Sequence, residues 1–175
     1  MGNEHSLTDL ASMKLLVGDG GFSICTWNTA GVFGRAAHKK WRVVLQLAAS
    51  FDIILLQETH GDDHALDSLR RAASSHIWCG SFLSNQSGGC VVGIRIGTLK
   101  ITTLHDVSVV DFDAGRVLLV TRQHEGVRFA FCCLHNDPHR SCSDQLTWLE
   151  NLRCSISDND ARLTIMAGDF NFPAT

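Results

Sequence analysis

Several classes of protein are excluded by what this chain lacks. No apolar run reaches the roughly 20 residues that a membrane helix needs. The polar start Met1-Gly2-Asn3-Glu4-His5 does not read as a secretory leader. Net charge is −3 and the pI is near 6.3, so no overall basic field marks a nucleic-acid-binding protein. Binding of that kind must rest on local basic groups. The seven cysteines are odd in number and fall without paired spacing, which argues against a disulfide framework and against zinc. Free thiols in a reducing compartment are expected. No repeat or low-complexity linker divides the chain.

What is there is enough apolar material for one globular domain: 175 residues, 45% hydrophobic and 19% charged. Residues 1–20 read as an irregular lead-in and 21–175 as the domain. Met1-Gly2-Asn3-Glu4-His5-Ser6 also fits the loose N-myristoylation pattern. A first strand is predicted from Phe22 to Trp27. Trp41, Val44, Leu45 and Ala48 then recur at helical spacing within 36–50, with His38, Lys39, Lys40 and Arg42 on a solvated face.

Asp52 to Gln57 is apolar on both faces, as in a strand covered on both sides. Asp62, Asp63 and His64 read as a helix start rather than metal ligands, ahead of Leu66, Leu69 and Ala73. Strands Ile77 to Phe82 and Cys90 to Ile96 flank the turn residues Asn85-Gln86-Ser87-Gly88-Gly89, a hairpin pattern. Leu99 to Val110 reads as strand-like, Asp111 to Gly115 as a turn, and Arg116 to Arg122 as a strand. Glu125-Gly126 turns the chain into Val127 to Leu134. Ser141 with Asp144 resembles a capping box for a helix marked by Leu149, Leu152 and Ile156, ending at Asp158-Asn159-Asp160. Helices mixed with hairpins exclude a purely parallel doubly wound sheet. Two packed sheets flanked by helices fit better.

Chemistry concentrates at strand ends. Four predicted strands finish in ligand-capable residues: Asn28, Glu58, His135, and the run Gly168-Asp169-Phe170-Asn171. In layered α/β proteins the carboxyl edge is where ligands bind. Each residue has an ordinary reading on its own: a strand-end turn for Asn28, a surface acid for Glu58, a partly buried histidine for His135, an Asx turn for Asp169 and Asn171. Together they make a reaction site. Glu58 is a hard anionic oxygen ligand suited to Mg²⁺, and a metal there polarises a phosphoryl oxygen. Asp169 can orient or deprotonate water. Asn28 and Asn171 can fix a phosphate oxygen or the metal shell, and His135 can donate to phosphate or act as an acid.

Trp27-Asn28, Gln57-Glu58-Thr59-His60, Gly88-Gly89, His135 and Gly168-Asp169-Phe170-Asn171 stand in the order and context of the endonuclease/exonuclease/phosphatase superfamily. From about Phe22 to Pro173 the chain resembles that group. The resemblance implies a four-layer α/β sandwich, two packed mixed sheets flanked by helices. It implies phosphodiester hydrolysis with Mg²⁺, or Mn²⁺ in its place. Asn28, Glu58, His135, Asp169 and Asn171 would be the catalytic residues, with Glu58 and Asn28 holding the metal.

Comparisons within the superfamily refine the expectation. Its members close the site with a C-terminal Ser-Asp-His element, whereas this chain stops at Thr175, so it reads as a domain whose C-terminal part is missing. There is no tyrosine; the abasic-site and many retroelement enzymes place one where this chain has His135, and pancreatic deoxyribonuclease places a histidine there. Gln57-Glu58-Thr59-His60 looks most like the retrotransposon version. The inositol phosphatase version expects a tryptophan at Ala167 and an arginine near Phe172 or Pro173, and a sphingomyelinase fits poorly without a secretion signal. A retroelement-type DNA endonuclease is therefore expected, intracellular and nuclear if retroelement-derived. The alternatives are a truncated, non-catalytic nucleic-acid- or metal-binding domain, and a phosphoesterase acting on a lipid or small phosphate.

Overall fold

A computed structural model describes residues 10–17, 20–34, 37–137, 139–157 and 163–171. Two mixed sheets pack face to face. The first has five strands in the order β1 (Leu10–Val17), β2 (Gly20–Asn28), β3 (Ile53–Gln57), β5 (Cys90–Arg95), β4 (His76–Ser81). The second runs β6 (Ser108–Asp113), β7 (Val117–His124), β8 (Val127–His135), β9 (Leu163–Asp169). Only β2 with β3 and β8 with β9 are parallel. Helices α1 (His38–Ser50) and α2 (Asp63–Ala72) cover the first sheet, and α3 (Cys142–Ser157) covers the second.

Strand alternation builds the layers. In β3, Ile53 and Leu55 enter the core between the sheets with Phe22, Val92, Leu118 and Phe131. Ile54 and Leu56 point the other way, onto Val44, Leu47 and Leu69 of the helices. This accounts for a strand apolar on both faces. The adjacent thiols divide likewise, Cys133 between the sheets and Cys132 toward α3. Five of the seven cysteines are buried and all are free. Burial pushes the Cys25 and Cys132 thiols up to about 12, which makes them poor nucleophiles.

Three expectations are corrected. Residues 1–20 are not all irregular: β1 lies antiparallel on β2. The Asp19-Gly20 pair between two apolar runs was the available hairpin signal. The stretch 99–110 is mostly not strand, because Thr98–Lys100 and Leu104–Asp106 are 3-10 turns. One Asp106 carboxylate oxygen accepts from the backbone and hydroxyls of Thr102 and Thr103, and such local bonds compete with a strand ladder. Finally, Asp111 to Asp113 belongs to β6, where the register shifts, and the turn closes later at Arg116.

Asp62 does cap α2, its Oδ1 accepting from Ala65 N at 2.8 Å. Ser141 Oγ likewise accepts from Asp144 N at 3.2 Å, at the start of α3. The myristoylation-like start and the run Asp158–Asp160 lie outside the described residues.

One buried histidine ties down the end of the sandwich opposite the strand-end cluster. His76 Nε2 bonds Phe51 O at 3.0 Å and Nδ1 meets Ser75 Oγ at 3.0 Å. Its ladder partner Arg95 donates to the carbonyls of Ala48 and Phe51 and pairs with Asp52. Burial, reinforced by the Arg95 charge, lowers the His76 pKa below its ordinary 6.5, against the Phe51 bond and Asp52. The unfolded chain therefore takes up this proton first as pH falls. The contribution to stability is full above about pH 6.5 and is lost progressively below it. Melting temperature measured from pH 8 to 5 is expected to fall in that window, and His76→Gln is expected to flatten the decline. An equal slope in the variant would refute the assignment.

Candidate active site

The sheets bring the strand-end residues together. Parallel register sets Asn28 beside Gln57 and His135 beside Asp169. From there a chain of contacts runs through all five expected residues. Asn28 Nδ2 donates to Asp169 Oδ2 at 2.9 Å, and Asp169 Oδ1 accepts from Asn171 N at 3.0 Å. Asn171 Nδ2 lies 3.2 Å from His135 Nε2, and that nitrogen is 2.9 Å from Glu58 Oε1.

His135 is the buried centre of the cluster, its side chain 5% exposed beside a Glu58 that is 28% exposed. Behind it, Arg116 Nη1 lies 3.4 Å from Nδ1, while Nη2 pairs with Asp137 at 3.0 Å. Arginine only donates, so Nδ1 is the acceptor and the ring proton sits on Nε2. That proton goes to Glu58. Asn171 Nδ2, itself a donor to Asn136 O at 2.7 Å, therefore packs on Nε2 rather than bonding to it. The His135 hydrogen bond holds the Glu58 carboxyl below the usual carboxylate range against the opposing effect of burial, and the Arg116 charge adds to it. Glu58 is thus an anion with an accessible face.

Arg116, Asn136 and Asp137 were not foreseen. Antiparallel pairing sets Val117, at the start of β7, against Leu134, at the end of β8, so Arg116 arrives beside His135. Attention to carboxyl ends alone misses such a residue. Asp137, two positions past His135, had the same spacing that singled out Asp169 and Asn171. Asn136 stitches the two strand ends, its N donating to Asp169 O at 2.8 Å and its Nδ2 to Phe170 O at 2.9 Å.

The backbone is strained here. Ala30, Glu58, His60 and Asn171 have φ between 43° and 52°, and they make up four of the seven non-glycine residues with positive φ among those described. Each such conformation costs of order 1–3 kcal/mol, less for Asn, and clusters of them mark functional sites. Gly89 lets the β4–β5 loop press onto this turn: a Cβ there would lie 2.3 Å from Thr59 Oγ1.

The donor set fits a hard divalent ion. Glu58 would supply the anionic oxygen, and Asn28 Oδ1, which among the described residues accepts from Ala30 N at 3.1 Å, has a second lone pair to offer. Among the described residues no group of three His, Cys, Asp or Glu side chains is placed to hold a metal ion, so a hard ion here would rest on one carboxylate, a carboxamide and its own waters. No helix among them is long and apolar enough to cross a membrane.

Two packed mixed sheets, with Asn28, Glu58, His135, Asp169 and Asn171 gathered at one end, define a layered α/β scaffold. Residues 25–175 match the model of the Endonuclease/Exonuclease/phosphatase family, and the chain belongs to that family. Among solved structures it is similar to TDP2 from C. elegans (19% identity, TM-score 0.62), with 87% of this chain and 48% of that one covered. It is also similar to the 3′ phosphatase NExo from Neisseria bound to a product DNA hairpin (21% identity, TM-score 0.61, 87% and 59% covered). The AP endonuclease LMAP from Leishmania major is comparable (19% identity, TM-score 0.59, 93% and 55% covered). These likenesses share the fold, and the chain spans about half to three fifths of their lengths. No curated protein matches it in sequence.

Proposed function

We propose that this domain hydrolyses phosphodiester bonds in DNA, with Mg²⁺ held at Glu58 and Asn28, as an endonuclease of retroelement type acting in the nucleus. The observation that carries the reading is the continuous contact chain Asn28–Asp169–Asn171–His135–Glu58 at one end of the sandwich. Membership of the family supports hydrolysis, and the DNA hairpin bound to the Neisseria phosphatase supports nucleic acid as substrate. The retroelement assignment rests on Gln57-Glu58-Thr59-His60.

Each residue has a distinct task in this reading. Asp169 has both oxygens anchored, by Asn28 and by the Asn171 backbone, so its free lone pairs point in a fixed direction and take a proton from the attacking water. Arg116 and Asp137 hold His135, which keeps the Glu58 carboxylate aimed. Asn28 and Asn171 fix phosphate oxygens without adding charge. A bound Mg²⁺ would supply charge neutralisation at the phosphate.

The test is a supercoiled-plasmid nicking assay with Mg²⁺, with Mn²⁺ and with EDTA. Metal-dependent nicking is expected, and Glu58→Ala is expected to lose it together with most Mg²⁺ affinity by calorimetry. A chain that nicks nothing under either metal would refute the proposal. Target-site sequencing would test the retroelement assignment, which needs a preferred cleavage motif.

A further inference from the structure

A hollow of about 700 Å³ opens beside the catalytic strand ends, lined by Phe33, His60, His64, Asn85 and Gln86 among others. Its size is in the range of small-ligand sites. Three loops build it: the one after β2, the one after β3, and the β4–β5 connection. The wall is fixed rather than loose. The Phe33 ring packs 6.0 Å from Trp41 and 6.2 Å from Phe82, centroid to centroid. With its amide nitrogen turned toward the β3–α2 loop, Asn85 donates to Gly61 O at 3.1 Å and to Asp62 Oδ2 at 3.3 Å, which latches two loops together. His60 lies two residues past Glu58, so the hollow adjoins the proposed site of hydrolysis.

The lining selects the ligand. Among the described residues its lining holds no lysine or arginine, and the one carboxylate is that of Asp62, which disfavours a phosphate group against the wall they form. Apart from Phe33 and Ala65 its side chains are polar, which a lipid chain would not favour. What remains is an aromatic ring, two imidazoles, two carboxamides and an acceptor carboxylate. These match a flat heteroaromatic molecule whose edge both donates and accepts.

We propose that this hollow is a subsite for an unpaired nucleobase, stacked on Phe33 and read along its edge by Asn85 and Gln86, one or two nucleotides from the scissile phosphate. The inference deepens the DNA-hydrolase reading and rests on it for the identity of the strand. A base that must leave the duplex to be bound makes single-stranded or frayed DNA the preferred substrate, since unpairing costs free energy that such substrates do not spend.

The test uses the full chain in EDTA, so that binding is measured apart from cleavage. Fluorescence anisotropy follows a labelled single strand about eight nucleotides long, a typical site size for such grooves. A second series carries an abasic spacer at each position in turn. Phe33→Leu is expected to weaken the intact strand about 10-fold, the scale of lost base–aromatic stacking. One spacer position is expected to weaken the parent protein equally and the variant no further. Gln86→Ala, on an exposed loop and outside the Asn85 latch, is expected to weaken binding several-fold. Unchanged affinity in both variants, or no sensitive spacer position, would overturn the subsite. Hydrolysis of bis(p-nitrophenyl) phosphate, which carries no base, reports the catalytic cleft separately. If both variants hydrolyse it as the parent does while their strand affinity is unchanged, the subsite fails and the hydrolase reading stands.

Discussion

Asp169→Asn is expected to lower Mg²⁺-dependent DNA cleavage by about 10²–10⁴-fold, the usual contribution of a positioned general base. The size follows from the geometry. Both carboxylate oxygens face donors, Asn28 Nδ2 at 2.9 Å and the Asn171 amide at 3.0 Å. A carboxylate satisfies both and keeps lone pairs for water. A carboxamide has one oxygen, so in either orientation its NH₂ faces a donor and the proton acceptor is lost. Steady-state cleavage of an oligonucleotide is expected to show the loss in kcat rather than KM. Calorimetry is expected to find Mg²⁺ affinity little changed, since the metal is assigned to Glu58 and Asn28. A kcat within 10-fold of the parent would remove Asp169 from the base role. A collapse in metal affinity would instead make it a ligand.

The contrast between Asp169 and Arg116 shows what a sequence can and cannot reveal. Asp169, Glu58, Asn28 and His135 each follow an apolar run, and strands ending in polar residues are a local pattern. The four runs also alternate or stay apolar throughout, so their place in a two-sheet sandwich was legible. Arg116 has no such mark. It matters because antiparallel pairing with β8 carries it to His135, a long-range fact. The 3-10 turns escaped for a related reason, side-chain bonds around Thr102–Asp106 that outbid a ladder, whereas β1 did carry a local mark in the Asp19-Gly20 pair between two apolar runs. The strained φ values at Glu58 and Ala30 leave no residue signature, since neither is among the residue types that favour positive φ. Strain imposed by the fold is visible only in the fold.

Gly168 turns that last point into a large expected effect on stability. It pairs with Leu134 across the parallel β8–β9 ladder and has φ +156°. A Cβ built there would lie 1.8 Å from Leu134 O and 2.8 Å from Leu134 C. Those are backbone atoms of a fully buried residue, and they cannot swing aside as a side-chain tip would. In Gly168→Ala, β9 must therefore lift from β8. Overpacking and backbone strain together are expected to cost about 3–5 kcal/mol, a third or more of the total for a marginal domain. Gly97→Ala is the matched control, with φ +96° but nothing within 4 Å of the new methyl. It is expected to cost only about 1 kcal/mol, the strain without the clash. Urea denaturation followed by Trp fluorescence compares the two. The displacement of β9 also takes Asp169 away from Asn28, so the Gly168 variant is expected to lose cleavage even where it stays folded. Equal midpoints for the two variants would mean that the ladder absorbs a methyl group at Gly168, and that the close approach of Leu134 does not hold Asp169 in place.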